Sequence, residues 1–450
     1  MTSVTPVRYP DLRSESLMTR RAWWLVVLNV LIPGSAQVLA GNRRLGRFAL
    51  GADLVFWAVG ILLIAGLLVA RSTVVTIVTN PIVLWIVVVV LVFYALLWLI
   101  CTLDTLRLVR FVRVHRVAGT IAALFSVAAL VITGGGALYG AWNAGVTAGV
   151  LGTVFGDGNI ADPVDGRYNI LLLGGDAGAD RVGLRPDSIS LVSIDAATGQ
   201  TTIIGIPRNL EKVPFPAKSP MAKQFPDGWN CADCLINALY TYGEEHPDLY
   251  PKAKSEGSSP GIEATSDGVE AVTGLKVQYY ALIDMNGFSQ LIDALGGIDI
   301  DVKTRLPIGG GQDSQGRPTG VDKWIEVGQQ HMDGNTALWY ARSRHADDDY
   351  HRMARQREVQ TAMLKQFTPA NVLTKFQAIA TAGGNIVETD IPQPMLGKFV
   401  DLADLSRKQK ITDLELVPPQ VETWDPDYDA IHDMVADVTK VASASPTPNG

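Results

Sequence analysis

The sequence predicts an N-terminal helical membrane anchor followed by an α/β (α+β) domain with a central mixed sheet flanked by helices. Three observations lead to this fold class. Residues 22–143 contain long apolar runs, which give the 450-residue chain a mean hydropathy of +0.18. Residues 160–440 have the mixture of polar and apolar residues that is typical of a globular domain. Within that part, strand patterns alternate with helical patterns, as expected for a sheet covered by helices.

Three apolar runs are long enough to cross a bilayer as helices, namely residues 48–70, 82–103 and 117–139. Each has about twenty residues or more, which is the length that a spanning helix requires. A fourth run, residues 22–40, is interrupted by Pro33-Gly34-Ser35. It either crosses the membrane or re-enters from one side. It is not a cleaved signal peptide, because it begins too far into the chain and lacks the expected architecture.

The distribution of arginine favours the re-entrant alternative. Basic clusters precede the 22–40 run, follow it, and fill the loop between the last two predicted spans (Arg13, Arg20, Arg21, Arg43, Arg44, Arg47, Arg107, Arg110, Arg113, Arg116). Positive residues accumulate on the cytoplasmic side, so a re-entrant segment puts every cluster inside and leaves three spans. Residues after about 143 are then outside the cell membrane. Four spans would instead place two basic clusters outside.

The net charge argues against one class of partner, and the cysteine pair allows three interpretations. A formal charge of −7 argues against nucleic acid as a partner, because nucleic-acid-binding proteins present a basic face. Cys231 and Cys234 form a C-x-x-C that could be a redox motif, half of a zinc site or a local disulfide. A zinc site needs two further ligands, and a redox motif normally opens a helix in a thioredoxin-like context. A disulfide in an oxidising compartment is therefore the expectation.

The globular part reads as alternating strands and helices. A buried strand at 168–173 is followed by a hairpin of two strands, 188–195 and 201–206, with Gly199 in the turn. Further strands are predicted at 277–283 and 298–302, and helices at 288–295, 333–341 and 350–367. Arginine and aspartate recur at the ends of these apolar elements. The residues concerned are Asp176, Arg185, Asp187, Arg208, Arg342, Arg344, Asp349, Arg352, Arg355 and Gln356.

The spacing in the last predicted helix indicates where two of these side chains point. Arg352, Gln356, Val359 and Met363 follow i, i+4, i+7 and i+11 spacing, so they share one helix face. Because this face becomes apolar further along, it points toward the core. A buried arginine needs a partner. Two interpretations remain open from the residues alone: a structural network of ion pairs with nearby carboxylates, and an arginine-lined pyrophosphate site with a divalent metal.

Several segments occur in a characteristic order and spacing. They are Asn169-Ile170-Leu171-Leu172-Leu173-Gly174-Gly175-Asp176, Arg185-Pro186-Asp187-Ser188, Ile206-Pro207-Arg208, Ile283-Asp284-Met285-Asn286-Gly287-Phe288, Asp293-Ala294-Leu295-Gly296-Gly297-Ile298, Met332-Asp333-Gly334, Tyr340-Ala341-Arg342-Ser343-Arg344 and Asp349-Tyr350-His351-Arg352-Met353-Ala354-Arg355-Gln356. Together they resemble the LytR–CpsA–Psr family of cell-wall glycopolymer ligases over about residues 166–420. The cysteine pair and Pro207-Arg208-Asn209 are similar to members from high-GC Gram-positive bacteria.

The resemblance implies an apolar groove for a polyprenyl chain beside a pyrophosphate site. Its implied pyrophosphate-binding residues are Arg185, Arg208, Arg342, Arg344, Arg352 and Gln356. The implied catalytic residues are Arg208, Arg342, Arg344 and Asp349, the last as a candidate base for the acceptor hydroxyl. Asp176 and Asp187 match positions that bind Mg²⁺, with Mn²⁺ as the alternative ion. The domains expected are a membrane region over 1–143, a glycine-rich linker over 144–165, a catalytic domain over 166–420, and an extension over 421–450 with a disordered tail.

The implied function is phosphotransfer. The enzyme would ligate a teichoic acid-, capsule- or arabinogalactan-type polymer from a polyprenyl-pyrophosphate donor to peptidoglycan, beside the membrane lipid. Three alternatives share the same pocket: a phosphatase of the lipid-linked glycan, a non-catalytic envelope regulator or scaffold, and a receptor that binds without turnover. Loss of the pocket charges would favour the regulator, and most of those charges are present.

Two departures from the family pattern affect the site. The family continues its Pro-Arg with an acid, whereas Asn209 stands here and removes any salt bridge expected at that position. The family's lysine before an Asn-Ala pair is missing ahead of Asn237-Ala238, where Lys223 is a candidate substitute. A glycine-rich stretch, residues 309–320, is predicted to be a loop that governs acceptor access.

Overall fold

The computed structural model describes residues 7–8, 10–155, 159–175, 185–313, 317–343, 349–366 and 387–440. The chain divides into two compact units, Met1–Gly149 and Val150–Gly450. Each unit has its own packing and is described by itself.

The first unit is helical. Its helices are α1 (Glu15–Leu31), α2 (Ser35–Ala40), α3 (Arg43–Val69), α4 (Arg71–Thr79), α5 (Pro81–Val109) and α6 (Arg116–Val154), with a 3₁₀ turn at Phe111–Arg113. Among the described residues, three helical segments are long and apolar enough to cross a membrane: Arg43–Val69, Pro81–Arg113 and Arg116–Gly149. The three spans expected from the sequence overlap them, and only the first extends beyond its helix, by one residue. These segments support a membrane-anchored protein.

The 22–40 run folds as a helical hairpin. The chain turns between α1 and α2 at Gly34, whose φ of +94° is left-handed, and a Cβ there would lie 2.6 Å from the Cβ of Ala49. Polar side chains join the hairpin to α5: Asn29 Nδ2 donates to Thr102 Oγ1 at 3.2 Å, and Gln37 Nε2 donates to the Cys101 carbonyl at 2.8 Å. Buried amides in an apolar unit require such partners.

The second unit is built on a six-stranded mixed sheet in the order β11-β4-β1-β2-β3-β12. Strand β1 pairs antiparallel with β2 and parallel with β4, and β12 pairs parallel with β3. The sheet strands are β1 (Arg167–Gly175), β2 (Pro186–Asp195), β3 (Thr201–Ile206), β4 (Tyr279–Asp284), β11 (Val387–Thr389) and β12 (Thr412–Glu415). This confirms the predicted mixed sheet.

Helices and small hairpins complete the unit. The helices are α7 (Pro220–Gln224), α8 (Ala238–Glu245), α9 (Pro260–Thr273), α10 (Met285–Leu295), α11 (Gly334–Arg342), α12 (Asp349–Gln366), α13 (Leu396–Ser406) and α14 (Tyr428–Lys440). The remaining strands pair in twos, and they are β5 (Ile298–Val302), β6 (Leu306–Ile308), β7 (Gly311–Gln312), β8 (Pro318–Thr319), β9 (Lys323–Ile325) and β10 (Gly328–Met332).

Two large hydrophobic clusters lie in this unit. One packs alternate residues of the central strands, such as Leu171 and Leu191, against α8, α9 and α14. The other joins α10, α11 and α12 with β5 and β10. Ser190 of β2 alternates with Leu191 and therefore faces the opposite side, where α12 lies. The sheet is thus flanked by helices on both faces.

The ends of the expected domain are more structured than their composition indicates. Helix α6 continues to Val154, inside the stretch expected to be a linker. Residues beyond 420, expected as an extension, contribute Val421, Ile431 and Val435 to the core beneath the sheet. The expected tail, 441–450, lies outside the described residues.

Candidate functional site

A cavity of about 760 Å³ lies where β1 and β4 end and β2 begins. Its walls are completed by α10, α11 and α12. Many lining side chains are apolar, including Leu172, Ile283, Phe288, Leu291 and Met363. Polar side chains are Asp187, Ser188, Asp284, Arg342, Ser343, Arg352, Gln356 and Gln360. A cavity of this size, largely apolar with a few convergent polar groups, is typical of a ligand site.

The close approach of two strands forms the polar edge of the cavity. The register between β1 and β2 shifts between Gly174 and Gly175, and a Cβ on Gly174 would lie 3.1 Å from the Cβ of Ser188. A larger residue at Gly174 would push the strands apart. Asp187 and Ser188 therefore face the cavity at the start of β2. Asp176, expected to bind metal with Asp187, lies outside the described residues.

Arg208 and Arg352 converge on Asp187 from different elements. The Arg208 guanidinium, just after β3, donates to the Asp187 carboxylate at 2.6 Å, and the two side chains are 29% and 31% exposed. The Arg352 guanidinium donates to the Asp187 backbone carbonyl at 3.3 Å and is only 3% exposed. The helical spacing predicted this inward direction for Arg352. Two cations beside one carboxylate leave an excess of positive charge that suits an anion.

Helix α11 brings a third arginine to the cavity. Arg342 is exposed, and its guanidinium carbon lies 5.6 Å from the centre of the Trp339 ring, as in a cation–π contact. The end of α11 is held by the buried Arg355, which donates to the carbonyls of Tyr340 at 3.1 Å and Ser343 at 2.5 Å. These carbonyls belong to the last turn of the helix, which has no intrahelical partners for them. Arg355 thereby fixes the turn that carries Arg342.

The remaining predicted residues differ in their position relative to the cavity. Gln356 lines the cavity one turn after Arg352. Arg185 precedes β2 and is exposed. Asp349 opens α12, but its side chain lies outside what the structure describes, as does Arg344. The cavity therefore brings together Asp187, Arg342, Arg352 and Gln356, with Arg208 attached through Asp187.

Trp339 and Gln360 are among the lining residues that the sequence analysis did not propose. Trp339 precedes Arg342 by three positions, so it lies on the same helix face. Gln360 follows Gln356 by four positions and lines the same wall. The helical spacing that was applied to α12 would have found both, had it been extended to every polar and aromatic residue.

A buried charged network lies behind the cavity. Arg357 on α12 donates to Ser190 Oγ and to Gln360 Oε1, and Gln360 Nε2 donates to Ser190 Oγ at 3.2 Å. The Nε atom of Arg357 lies 3.0 Å from Glu415 Oε1. Burial lowers the pKa of Arg357, and the carboxylates of Glu415 and Asp413 oppose that shift. Burial also raises the pKa of Glu415, against the attraction of Arg357.

Cys231 and Cys234 form a disulfide, with the Cα atoms 4.9 Å apart. The segment that follows pairs with the turn that carries Arg208. The Ile236 N–H donates to the Leu210 carbonyl at 2.9 Å, and the Asn237 N–H donates to the Arg208 carbonyl at 3.3 Å. The disulfide loop therefore supports one side of the arginine-bearing turn.

The sequence profile of the LytR_cpsA_psr family matches residues 156–440. The chain belongs to this family. The match includes residues 421–440, in agreement with their packing in the core of the same unit. The family resemblance inferred from the sequence motifs is confirmed.

Curated LytR_cpsA_psr relatives carry functional names. The chain is 27% identical over 226 residues to the polyisoprenyl-teichoic acid–peptidoglycan teichoic acid transferase TagU of Halalkalibacterium halodurans, covering 50% of this chain and 61% of that protein. It is 28% identical over 300 residues to the cell wall biosynthesis protein LcpA of Corynebacterium glutamicum, covering 60% of this chain and 54% of that protein. The crystal structure of B. subtilis TagV matches with a TM-score of 0.45 and 23% identity, covering 62% of this chain and 98% of that one. The chain thus spans little more than half the length of these curated relatives.

Proposed function

We propose that this protein transfers a glycopolymer from a polyprenyl-pyrophosphate carrier to peptidoglycan and joins them by a phosphodiester bond. The observation that carries the proposal is a single cavity with an apolar wall and an arginine-rich edge. A polyprenyl diphosphate has the same two parts in the same order, an apolar chain and a polyanionic head. The names of two relatives, which describe transfer of teichoic acid and cell wall biosynthesis, support this reaction class.

The arginines suit the charge changes of phosphoryl transfer. The acceptor hydroxyl oxygen forms a bond to the phosphorus that carries the saccharide, and the bond from that phosphorus to the bridging oxygen breaks. Polyprenyl phosphate leaves with the electron pair, and the hydroxyl proton passes to a base, for which Asp349 is the candidate. Arg208, Arg342 and Arg352 stabilise the negative charge on the bridging and leaving oxygens. Gln356 contributes an amide to the same wall. Arg185 and Arg344, which the family resemblance implies as pyrophosphate-binding residues, would also bind the diphosphate.

A divalent cation, Mg²⁺ or Mn²⁺, fits this arrangement as a partner of the substrate. Asp187 presents its carboxylate to the cavity, whereas no group of three metal-ligating side chains occurs among the described residues. Mg²⁺ commonly takes one or two carboxylates together with phosphate oxygens. Asp187, with Asp176, would hold the ion, which would neutralise charge on the diphosphate.

We further propose three membrane spans with the second unit outside the cell. Hydrogen bonds join the α1–α2 hairpin to α5 between Cys101 and Leu108, where the Leu108 carbonyl accepts from the Arg21 guanidinium at 2.8 Å. That stretch is about 10 Å of helix, much less than the thickness of a bilayer. It is also the end of α5 that carries Arg107. These contacts support a hairpin that re-enters from the cytoplasmic side, which leaves the catalytic unit next to an external lipid-linked donor.

The test is a transfer assay with the full chain in lipid nanodiscs. The chain is mixed with Mg²⁺, a polyprenyl-pyrophosphoryl saccharide and a peptidoglycan oligomer, and mass spectrometry looks for a saccharide–phosphate–peptidoglycan adduct. Teichoic-acid, capsular and arabinogalactan-type donors are compared. Arg342→Ala should abolish the adduct. Arg407→Ala, which removes an arginine paired with Asp404 on α13, should retain it.

The other outcomes separate the alternatives. Release of saccharide phosphate without an adduct would indicate a phosphatase that uses water as the acceptor. A donor that binds but stays intact with every acceptor would indicate a receptor or an envelope regulator. Equal activity of the Arg342→Ala and wild-type proteins would show that Arg342 does not take part in the reaction.

A further inference from the structure

The C-terminal segment 423–428 is fastened to the turn that carries Arg208. The Glu211 N–H donates to the Thr423 carbonyl at 2.9 Å, and the Tyr428 hydroxyl donates to the Glu211 carbonyl at 2.7 Å. At the rim, Lys212 Nζ lies 2.7 Å from a carboxylate oxygen of Asp425, with both side chains well exposed. These contacts join residues about two hundred positions apart in the sequence. The segment is thus part of the wall behind the arginines.

Thr423 occupies the centre of this contact and is 6% exposed. Its hydroxyl oxygen lies 3.3 Å from Asn209 Nδ2, which donates to it. The same oxygen lies 3.4 Å from the hydroxyl of Tyr350 in the first turn of α12. A threonine hydroxyl has one donor hydrogen and two acceptor lone pairs, so it can serve both neighbours at once.

These contacts close a ring around the arginine cluster. Asn209 is next to Arg208, and Tyr350 is two residues before Arg352. Arg208 and Arg352 in turn both donate to Asp187, one to its carboxylate and one to its backbone carbonyl. Thr423 therefore bridges, from behind, the two elements whose arginines meet at Asp187 in front.

We infer that Thr423 is a positioning residue for the anion site, because its hydroxyl sets the distance between the Arg208 turn and the start of α12. Two guanidinium groups can bind one diphosphate only if their separation matches the distance between its phosphate groups. The inference rests on the proposed function in one respect, namely that the cluster binds a diphosphate. Thr423 itself touches no reacting atom.

Asn209 explains why a hydroxyl is needed at this place. The amide of Asn209 donates to Thr423, which an aspartate at position 209 could not do. Asn209 Oδ1 is buried and has no hydrogen-bond partner among the described residues. The asparagine is therefore held through its amide nitrogen, and Thr423 supplies the acceptor. This gives a structural role to the departure from the family's acid at that position.

The test measures binding and local opening in the full chain in nanodiscs. The probes are geranylgeranyl diphosphate and geranylgeranyl monophosphate, each with Mg²⁺, and hydrogen–deuterium exchange follows peptides covering 207–212 and 349–354. Thr423→Val keeps the shape and removes the hydroxyl. It should weaken diphosphate binding about fivefold, the loss expected for one hydrogen bond, and weaken monophosphate binding less. Exchange should rise in both peptides.

Three further variants make the result specific. Thr423→Ser should restore both binding and protection, because it keeps the hydroxyl. Asp425→Asn changes the same segment at an exposed pair and should leave both unchanged. Tyr350→Phe removes the second partner of Thr423 and should reproduce the faster exchange, which keeps the inference testable if Thr423→Val does not fold.

The outcomes distinguish the inference from the proposed function. If wild-type protein binds the diphosphate and Thr423→Val binds it equally well, the inference is overturned while the proposed function stands. The inference is also overturned if Thr423→Ser binds the diphosphate as weakly as Thr423→Val does, because loss of the hydroxyl would then not be the cause of the weaker binding. If wild-type protein does not prefer the diphosphate over the monophosphate, the proposed function fails, and the positioning role fails with it.

Discussion

Replacement of Glu415 by glutamine should destabilise the second unit strongly, although Glu415 does not line the cavity. Arg357 Nε lies 3.0 Å from Glu415 Oε1, and the two side chains are 4% and 22% exposed. The Arg357 N–H does not meet the oxygen in hydrogen-bond geometry, so the attraction is chiefly between charges. Glycine at 205 leaves room for the carboxylate, because a Cβ there would overlap it. The sheet is thus shaped around this pair.

The magnitude follows from burial. Removing one member of a buried ion pair leaves an uncompensated charge and typically costs about 3–5 kcal/mol. Because Glu415 retains some contact with water, we expect the lower end, about 3 kcal/mol, or roughly a 150-fold change in the unfolding equilibrium constant. For a domain whose urea m-value is about 3 kcal/mol per molar, the midpoint should fall by about 1 M.

Pulse proteolysis of the full chain over a series of urea concentrations measures this midpoint in detergent. The matched control is Glu326→Gln, which breaks an exposed pair with Arg305 and should cost at most about 1 kcal/mol. The double replacement of Arg357 and Glu415 by methionine removes both charges and should recover most of the stability lost in Glu415→Gln. Equal midpoints for Glu415→Gln and Glu326→Gln would refute the reasoning.

Three further outcomes are expected. Burial raises the pKa of Asp390 to about 7, against the hydrogen bond from the Tyr280 N–H, so the folded state binds its proton more tightly than the unfolded state does. Protonation of Asp390 therefore adds to the free energy of unfolding, by up to about 4 kcal/mol. This contribution is fully present below about pH 4 and is lost as the pH rises toward 7. Asp390→Asn should remove this decrease, so its urea midpoint should change less between pH 4 and pH 7 than that of the wild type. Replacing Cys231 and Cys234 by serine should cost about 2 kcal/mol and speed hydrogen exchange in residues 207–212, and an unchanged exchange rate would remove the disulfide from the support of that turn. Arg342→Lys keeps the charge but loses the planar fork, so titration with geranylgeranyl diphosphate should show roughly tenfold weaker binding, whereas wild-type affinity would show that charge alone suffices.

Local patterns were sufficient for the central strands and for one helix face. The buried run at 168–173 became β1, and the hairpin signal around Gly199 became the β2–β3 pair, because strand formation there depends on residues that are close in sequence. The inward direction of Arg352 followed from helical spacing alone. In each case the residues whose pattern predicts the structure are close to one another in the sequence.

Other features depend on contacts that no local pattern contains. Arg357 is buried because β2 supplies Ser190 and β12 supplies Glu415, which are far apart in the sequence. The short strand that carries Glu415 has only four residues, too few for a period to be recognised. Thr423 likewise reads as a polar residue in a loop, and its burial arises only when the segment meets the Arg208 turn.

The two arginine–carboxylate pairs of this domain illustrate why the sequence left a structural network and an anion site equally open. Both pairs join an arginine to a carboxylate at similar distances, 2.6 Å for Arg208 with Asp187 and 3.0 Å for Arg357 with Glu415. They differ in exposure. Water reaches both members of the first pair, so their attraction is modest and a diphosphate with its cation can replace that contact at small cost. The second pair is enclosed, and separating it would leave a buried charge. The exposed pair, Arg208 with Asp187, is therefore suited to binding an anion, and the enclosed pair, Arg357 with Glu415, is suited to holding α12 against the sheet. The difference in exposure depends on the whole fold, so the sequence alone could not predict it.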